Sequence, residues 1–175
     1  FWIHHDIDEG DQLLVNPLHH IAALYAICGN LRSGSRMCLS DMRNGIRDIL
    51  WFRPQMMITV PMYLDFLIKK AQKKGLDLSS FKLFIRVGAP GNQNTDESLE
   101  NMGIAVRSLY GMTETAGAVT SITDGQYKKE SEGKIGRWNE GRISGQGEIL
   151  VKGCNVMSRY LDDEESTSQI FTDGW

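Results

Sequence analysis

The chain has 175 residues, 41% of them hydrophobic and 23% charged, with a formal net charge of −3. Its length suffices for a globular core that buries roughly 70% of the unfolded surface, and its composition excludes fibrous and low-complexity proteins. The Lys and Arg residues are scattered and give no sign of a nucleic-acid partner, and no apolar stretch reaches the length of a membrane span.

Strands and helices alternate from Leu13 to Leu109. The predicted strands are apolar runs at 12–15, 36–39, 56–60, 82–87 and 104–109. The predicted helices lie at 19–31, from a cap at Ser40 or Asp41 to near Pro54, at 61–74 and at 95–102. We expect the second strand, 36–39, to be buried. The alternation predicts an α/β fold with a mostly parallel sheet flanked by helices on both faces.

The character of the sequence changes after Glu114. Residues 118–122 predict one further strand, and residues 124–146 are rich in Gly, Lys and Glu. Residues 148–151 are strand-like. This part of the chain resembles the start of a small β-rich subdomain rather than a continuation of the parallel sheet. We therefore expect an α/β subdomain over residues 1–123 and the start of a small β-rich subdomain over residues 124–175.

Two loops of the α/β region are predicted to meet in one cleft. Right-handed crossovers place the C-terminal ends of parallel strands at the same edge of the sheet, where open α/β folds bind ligands. The loop Gly88-Ala89-Pro90 follows one predicted strand, and Tyr110-Gly111-Met112-Thr113-Glu114 follows the next. Two loops that are separate in sequence thus become the walls of a single site.

The second loop carries the side chains of a nucleotide-phosphate site. The Tyr110 ring can stack on a base, the Thr113 hydroxyl can donate to a phosphate oxygen, and the Glu114 carboxylate can hold Mg²⁺. The alternative is a turn relaxed by Gly111, with a capping Thr113 and an exposed Glu114.

Four segments, in this order, resemble motifs of the adenylate-forming superfamily, which includes acyl-CoA synthetases, firefly luciferase and the adenylation domains of peptide synthetases. They are NPLHH at 16–20, like the acyl-site segment; GAP at 88–90, like the adenine-site loop; YGMTE at 110–114, like the central motif; and GEILVKG at 147–153 with SRY at 158–160 and FTDGW at 171–175, like the approach to the ribose-binding aspartate. The chain is identified as a member of this family.

The resemblance assigns the central chemistry to Thr113 and Glu114. In the family the Thr bonds the nucleotide phosphate and the Glu holds Mg²⁺. Attack of a carboxylate on the α-phosphate brings two anions together, so metal and hydroxyl donors must offset their repulsion. The alternative for this pair is a helix cap. Tyr110 is expected to line the adenine pocket, or else to pack over the sheet.

The remaining site residues follow from the same resemblance. Gly88, Ala89 and Pro90 would let the backbone approach the base edge, unless they form an ordinary tight turn. Gly111 and Met112 are assigned both to the nucleotide site and to the acyl side of the cleft.

His20 is expected beside the carboxylate pocket, where its role would be shape and gating rather than proton transfer. The alternative is a helix cap or a packed ring, and His19 is the match if the register shifts by one. The first helix supplies more of the cleft wall, although most of its apolar residues must be core.

The resemblance implies an internal fragment of the large N-terminal domain of an ATP-dependent carboxylic acid:CoA ligase. Its cofactors and co-substrates would be ATP, Mg²⁺ and coenzyme A. Met112 and the segment Pro17-Leu18-His19-His20 favour a CoA ligase over a peptide-synthetase domain, and the pattern is closest to long-chain fatty acyl-CoA ligases, so a fatty acid is the expected substrate. The alternatives are an enzyme that loads a carrier protein and a non-catalytic scaffold of the same fold.

The remaining expectations concern partners and location. The isolated fragment should be inactive and should self-associate through apolar surface that the rest of the protein would cover. The Lys-rich end of the 61–74 helix either contacts a membrane surface or is a solvated helix cap. We expect reduced, packed thiols in a cytoplasmic protein, because the cysteines are odd in number and lack metal-ligand spacing: Cys28, Cys38 and Cys154.

Overall fold

A seven-stranded sheet and a separate two-stranded sheet make up the β structure of the computed structural model, which describes residues 10–121, 131–171 and 174–175. The elements in chain order are β1 (Gln12–Leu14), α1 (Ile21–Ser33), β2 (Met37–Leu39), α2 (Gly45–Phe52), β3 (Met56–Thr59), α3 (Pro61–Lys74), β4 (Leu83–Val87), α4 (Gln93–Asn101), β5 (Ala105–Met112), β6 (Gly117–Ser121), β7 (Lys134–Ile135), β8 (Asn139–Ile143), β9 (Ile149–Gly153) and α5 (Glu164–Ile170). Among the described residues, none of the helices is both long enough and apolar enough to cross a membrane.

The large sheet is parallel over five strands and antiparallel at one end. Its strand order is β2-β1-β3-β4-β5-β6-β7, in which β1 to β5 pair in parallel while β6 and β7 pair antiparallel. Helices connect the parallel strands, so the C-terminal ends of these strands share one edge. The predicted α/β class with a mostly parallel sheet is confirmed.

Both faces of the parallel sheet carry a buried core. Successive residues of a strand point to opposite faces, and Leu13 and Leu14 accordingly belong to different apolar clusters. On one face, residues of α2, α3 and α4 pack on Leu13, Met57 and Phe84. On the other, Ala23 and Ala26 of α1 pack close to the sheet because their side chains are small. Because helices cover both faces of the sheet, a ligand can reach the strands only at their ends.

Helix α3 follows its sequence signals closely. Pro61 occupies its first turn, where a missing amide proton is harmless, and Gly75 ends it in a left-handed conformation. Lys73 and Lys74 lie in the last turn, where their positive charge interacts favourably with the negative end of the helix dipole. The predicted range of 61–74 is confirmed.

Two details near β2 differ from expectation. β2 is an edge strand, and Leu39 is 59% exposed, so the strand is not buried. Helix α2 begins after Asn44 rather than after Ser40 or Asp41. The Asp41 carboxylate instead accepts hydrogen bonds from the backbone amides of Arg43 (2.7 Å) and Asn44 (2.8 Å), which closes a turn ahead of the helix.

β5 is longer than its apolar run. The sequence predicts its end at Leu109, but the strand continues to Met112 because residues 109–112 pair with β6. The register shifts between Tyr110 and Gly111, as at a β-bulge. The central motif therefore begins inside the strand and not in the loop beyond it.

The second half of the chain divides between the two sheets. β7 pairs with β6 and extends the large sheet, whereas β8 and β9 form the separate antiparallel pair. The predicted boundary between residues 123 and 124 lies outside the described residues, as do residues 172–173 of the last motif. The division into two subdomains stays a prediction.

The thiols are less packed than predicted. All of the cysteines are free, but Cys28 and Cys154 are exposed and only Cys38 is partly buried, against the core beneath β1. Cys28 lies on a helix with one covered face, and Cys154 follows the small sheet, so the apolar runs around them do not bring them into a core.

A buried ion pair holds the loop that follows β4. The Arg86 guanidinium donates to the carboxylate of Asp96 in the first turn of α4, and the two residues are 7% and 4% exposed. Burial raises the pKa of Asp96, since a charged carboxylate loses its hydration there. A Cβ on Gly91 would lie 1.8 Å from Arg86 Nη1, so the guanidinium packs directly beneath the 88–91 loop.

Removing one member of this pair should be strongly destabilising. We expect Arg86→Met to lower the free energy of unfolding by about 3–5 kcal/mol, because it leaves the Asp96 carboxylate buried without its partner. The double variant Arg86→Met/Asp96→Leu should recover most of this loss in urea unfolding. Arg53→Met, which breaks the exposed ion pair with Asp77, is the control and should leave the unfolding midpoint close to that of the unaltered protein. An equal loss of stability in Arg86→Met and Arg53→Met would contradict the expectation.

Candidate active site

A cavity of about 430 Å³ opens at the C-terminal edge of the parallel strands. Its walls are the segment that leads into α1, the ends of β3 and β4, and the hairpin from β5 to β6. The lining is mainly apolar and includes Ile21, Ile58, Val60 and Leu109. Its polar residues include Asn16 and His20 and, at the rim, Thr113 and Glu114. The cavity thus sets an apolar compartment beside a hydroxyl and a carboxylate.

The fold brings six of the predicted site residues to this cavity and leaves three outside its lining. Those that line it are His20, Gly88, Gly111, Met112, Thr113 and Glu114. Ala89 and Pro90 are exposed in the loop beyond Gly88, and Tyr110 is half-buried on β5 away from the lining. The adenine-site roles of these three residues stay predictions.

A tight hairpin presents Thr113 and Glu114 at the sheet edge. β5 passes into a single 3₁₀ turn, Thr113–Thr115, and β6 begins at Gly117. The Thr115 hydroxyl is buried, accepts a hydrogen bond from the Met112 amide (3.1 Å) and lies 2.9 Å from the Gly117 carbonyl, to which it can donate. Thr115 therefore ties both strands to the turn that carries the site residues.

Two glycines allow the strands to approach at this point. A Cβ on Gly111 would lie 1.8 Å from the Gly117 carbonyl oxygen. Gly117 has a φ of 111°, which side-chain-bearing residues rarely adopt, and a Cβ there would lie 2.8 Å from the Tyr25 ring. Gly111 therefore allows the two strands to close, and Gly117 allows the hairpin to pack against Tyr25 of α1.

Glu114 is held by the chain that follows β9. Its Oε1 accepts a hydrogen bond of 2.7 Å from the Tyr160 hydroxyl. This bond lowers the pKa of Glu114 and raises the pKa of Tyr160, because the phenol proton stabilises the ionised carboxylate. The carboxylate is therefore charged at neutral pH, as a cation ligand must be.

The backbone of the same turn is fastened by two further bonds. The Met157 amide donates to the Glu114 carbonyl (2.7 Å), and the Asn155 side-chain amide donates to the Thr115 carbonyl (2.8 Å). A hydrogen bond from the Asn139 side chain connects Asn155 to β8. The small sheet is thus joined to the tip of the hairpin.

His20 caps α1 and also lines the cavity. Its Nδ1 accepts a hydrogen bond of 3.1 Å from the Ala22 amide, which is the contact of a helix N-cap. The capping alternative is confirmed. With Nδ1 as acceptor, the neutral ring carries its proton on Nε2. The ring also forms part of the cavity wall, and the expected role in shape and gating stays a prediction.

Sequence reasoning did not single out several residues that shape the site. Thr115 gave no signal, because only the folded hairpin buries its hydroxyl. Asn16 and Tyr160 lie within the NPLHH and SRY motifs, but the motifs assign no role to either residue. Asn16 lines the cavity at 6% exposure, and its Oδ1 accepts no hydrogen bond among the described residues. An asparagine before Pro17, at the end of an apolar strand, was the available signal.

The carboxylate at the rim fits a magnesium ion that arrives with a nucleotide. Among residues 10–121, 131–171 and 174–175, no group of three or more His, Cys, Asp or Glu gathers as a preformed metal centre. Mg²⁺ at nucleotide sites is characteristically held by one or two carboxylates together with substrate phosphates and water. The single Glu114 carboxylate supplies that kind of partial ligand set.

The Thr-Glu hairpin and the adjoining apolar cavity thus lie together at the C-terminal edge of the parallel strands. The chain belongs to the AMP-binding enzyme family, whose model matches residues 1–161.

Characterised relatives span much longer chains. The chain is 30% identical over 183 residues to 2-succinylbenzoate–CoA ligase of Bacillus pumilus, covering 95% of this chain and 37% of that protein. It is 26% identical over 180 residues to luciferin 4-monooxygenase of Photinus pyralis, covering 93% and 33%. The unliganded O-succinylbenzoate coenzyme A synthetase of Bacillus subtilis superposes with a TM-score of 0.80 at 26% identity, covering 99% and 39%. The chain therefore spans about a third of the length of the curated relatives it matches.

Closure of the hairpin should depend on Gly111. We expect Gly111→Ala to lower the free energy of unfolding by about 1–3 kcal/mol, because the added methyl group overlaps the Gly117 carbonyl and forces the strands apart. The matched control is Gly145→Ala, at a position where a Cβ meets nothing within 4 Å. Chemical unfolding of both variants checks the difference, and equal stabilities would show that the strands separate without penalty.

Proposed function

We propose that the protein carrying this chain is an ATP-dependent carboxylic acid:CoA ligase. It joins the acid to the α-phosphate of ATP and releases pyrophosphate. It then transfers the acyl group from the acyl-adenylate to the thiol of coenzyme A, with AMP as the leaving group and loss of the thiol proton. The observation that carries the proposal is the ionised Glu114 carboxylate beside Thr113 at the rim of an apolar cavity. The family membership and the CoA ligases among the relatives support it.

Each group at the rim has a distinct part in the first step. The Thr113 hydroxyl donates to a phosphate oxygen and so orients the nucleotide. Glu114 holds Mg²⁺, which when bound offsets the charge of the phosphates. Tyr110 and the loop Gly88-Ala89-Pro90 contact the adenine ring. Proximity and charge stabilisation carry the step, with no protein nucleophile required.

The apolar cavity receives the acid. His20, Gly111 and Met112 line it, and the aliphatic residues in the rest of its lining, among them Ile58 and Val60, support a fatty acid as substrate. Aromatic acids are the second candidate class, favoured by the names of relatives such as indoleacetate–CoA ligase of Aromatoleum aromaticum. The two classes differ in length and stiffness, so a graded series of acids distinguishes them.

There are two alternatives: an enzyme with a different acyl acceptor, and a protein that catalyses no reaction. An enzyme that loads a carrier protein would form the same acyl-adenylate but would not depend on CoA. A scaffold of the same fold would have no use for a hydroxyl and a carboxylate placed together beside an apolar cavity. The placement of Thr113 and Glu114 in the cavity lining therefore favours a catalytic protein.

ATP–pyrophosphate exchange by the full-length protein tests the first step. We expect Mg²⁺-dependent exchange with one class in a series from acetate to palmitate that includes aromatic acids. Glu114→Ala should lower the exchange rate by about 100-fold or more, because the metal loses its protein ligand. Glu100→Ala, which removes an exposed carboxylate from α4, is the control and should leave the rate unchanged.

Two results would contradict the proposal. Exchange that survives Glu114→Ala would remove this carboxylate from the reaction. A folded protein that gives no exchange with any acid would support the scaffold. Exchange without a CoA-dependent thioester product would instead identify the carrier-protein enzyme.

A further inference from the structure

The chain after β9 makes three hydrogen bonds to the turn that carries the site residues. We call residues 155–160 the bracket segment. The Asn155 side chain donates to the Thr115 carbonyl at 2.8 Å, and the Met157 amide donates to the Glu114 carbonyl at 2.7 Å. Both bonds hold the backbone of the turn. The last residue of the bracket segment, Tyr160, reaches the Glu114 side chain itself, with a hydroxyl to Oε1 distance of 2.7 Å. Backbone and side chain of the same residue are therefore fixed by one short stretch of chain.

We propose that Tyr160 is a positioning residue, which holds the Glu114 carboxylate in the orientation that binds the magnesium ion of the nucleotide. The inference rests on the proposed function, in which Glu114 is the metal ligand. Tyr160 touches neither the metal nor the substrate in this role. It acts through Glu114 alone.

A glutamate side chain is flexible unless a contact orders it. Glu loses up to about 2 kcal/mol of rotamer entropy when it is ordered, and at the partly exposed tip of a hairpin little packing restrains it. Without the hydrogen bond from Tyr160, this loss would accompany metal binding. With the bond in place, the carboxylate is already ordered before the ion arrives.

The donor to the Glu114 carboxylate is a neutral hydroxyl group. None of the ion pairs among the described residues includes Glu114. A Lys or Arg at position 160 would neutralise the carboxylate and compete with Mg²⁺, whereas a phenol orients it and leaves its charge in place. The phenol uses one lone pair of Oε1, and a carboxylate has about four lone-pair sites on its two oxygens. Room for the metal remains.

Tyr160 is itself anchored by hydrogen bonds. Its backbone amide donates to the Thr167 hydroxyl at 3.0 Å, and that hydroxyl donates to the Asp163 carbonyl at 2.7 Å. Asp163 caps α5 through its carboxylate, which accepts from the Ser166 amide at 2.9 Å. The phenol is thus presented by a helix start, not by a free loop. A donor on such a support can hold its acceptor in one orientation.

The test is the Mg²⁺ dependence of ATP binding to the full-length Tyr160→Phe variant. Bound ATP is measured by equilibrium dialysis while Mg²⁺ is titrated, and again in EDTA. We expect the Mg²⁺ concentration for half-maximal binding to rise about tenfold, the size of effect seen when a group that orients a metal ligand is lost. Binding in EDTA and the thermal midpoint should stay close to those of the unaltered protein, since only one hydroxyl is removed.

A matched variant controls for the loss of a tyrosine hydroxyl. Tyr63 is buried on α3, and its hydroxyl makes no hydrogen bond among the described residues. Tyr63→Phe should therefore leave the Mg²⁺ titration unchanged. Asn155→Ala removes a bracket contact to the backbone alone, and we expect it to lower stability with a smaller shift of the Mg²⁺ midpoint than Tyr160→Phe.

Glu114→Ala separates this inference from the proposed function. If its Mg²⁺ titration matches that of the unaltered protein, Glu114 is not the metal ligand, and both proposals fall. If Glu114→Ala abolishes the Mg²⁺ dependence but Tyr160→Phe has no effect, the positioning role alone is overturned. In the expected case, adding Tyr160→Phe to Glu114→Ala changes nothing further, because the phenol has lost the group on which it acts.

Discussion

Two stretches of backbone meet at the tip of the β5–β6 hairpin, so closely that a Cβ on Gly111 would overlap the Gly117 carbonyl. On its other side the hairpin packs against α1, where a Cβ on Gly117 would overlap the Tyr25 ring. The chain reverses there in a single 3₁₀ turn, which the buried Thr115 hydroxyl ties to both strands. Because the turn is short and fixed at both ends, Thr113 and Glu114 are placed at the rim of the cavity. The chemistry that we propose for the site depends on that placement.

The supports around the hairpin come from distant parts of the chain. The Arg86–Asp96 pair packs beneath the loop after β4, so the opposite wall is held from inside the fold. The small sheet reaches the turn from the other side through the bracket segment. The groups that donate hydrogen bonds to Glu114 are neutral, so they order this residue without cancelling the charge of its carboxylate. A site that must bind a cation together with an anionic nucleotide needs both properties.

The fold class was accessible from local sequence signals. Apolar runs alternating with helical spacing predicted the parallel sheet, and Pro61 and Gly75 marked the ends of α3 because proline and glycine act on the backbone at their own positions. Since parallel strands align their C-terminal ends, the meeting of Gly88 with Thr113 and Glu114 could also be predicted. The family resemblance rested on the same short motifs, and the family model that matches residues 1–161 confirms it.

Sequence by itself therefore determined the elements, their alternation and the residue types at the sheet edge. Only the tertiary structure decided where β5 ends, since its last residues are strand through pairing with β6. It also decided that β2 is an exposed edge and that Cys28 and Cys154 are exposed, because burial depends on what packs against an element. The contact between Glu114 and Tyr160 joins residues 46 positions apart, and no local pattern records it. Propensity and periodicity act over a few residues, whereas such contacts arise when separate elements are brought together by the core.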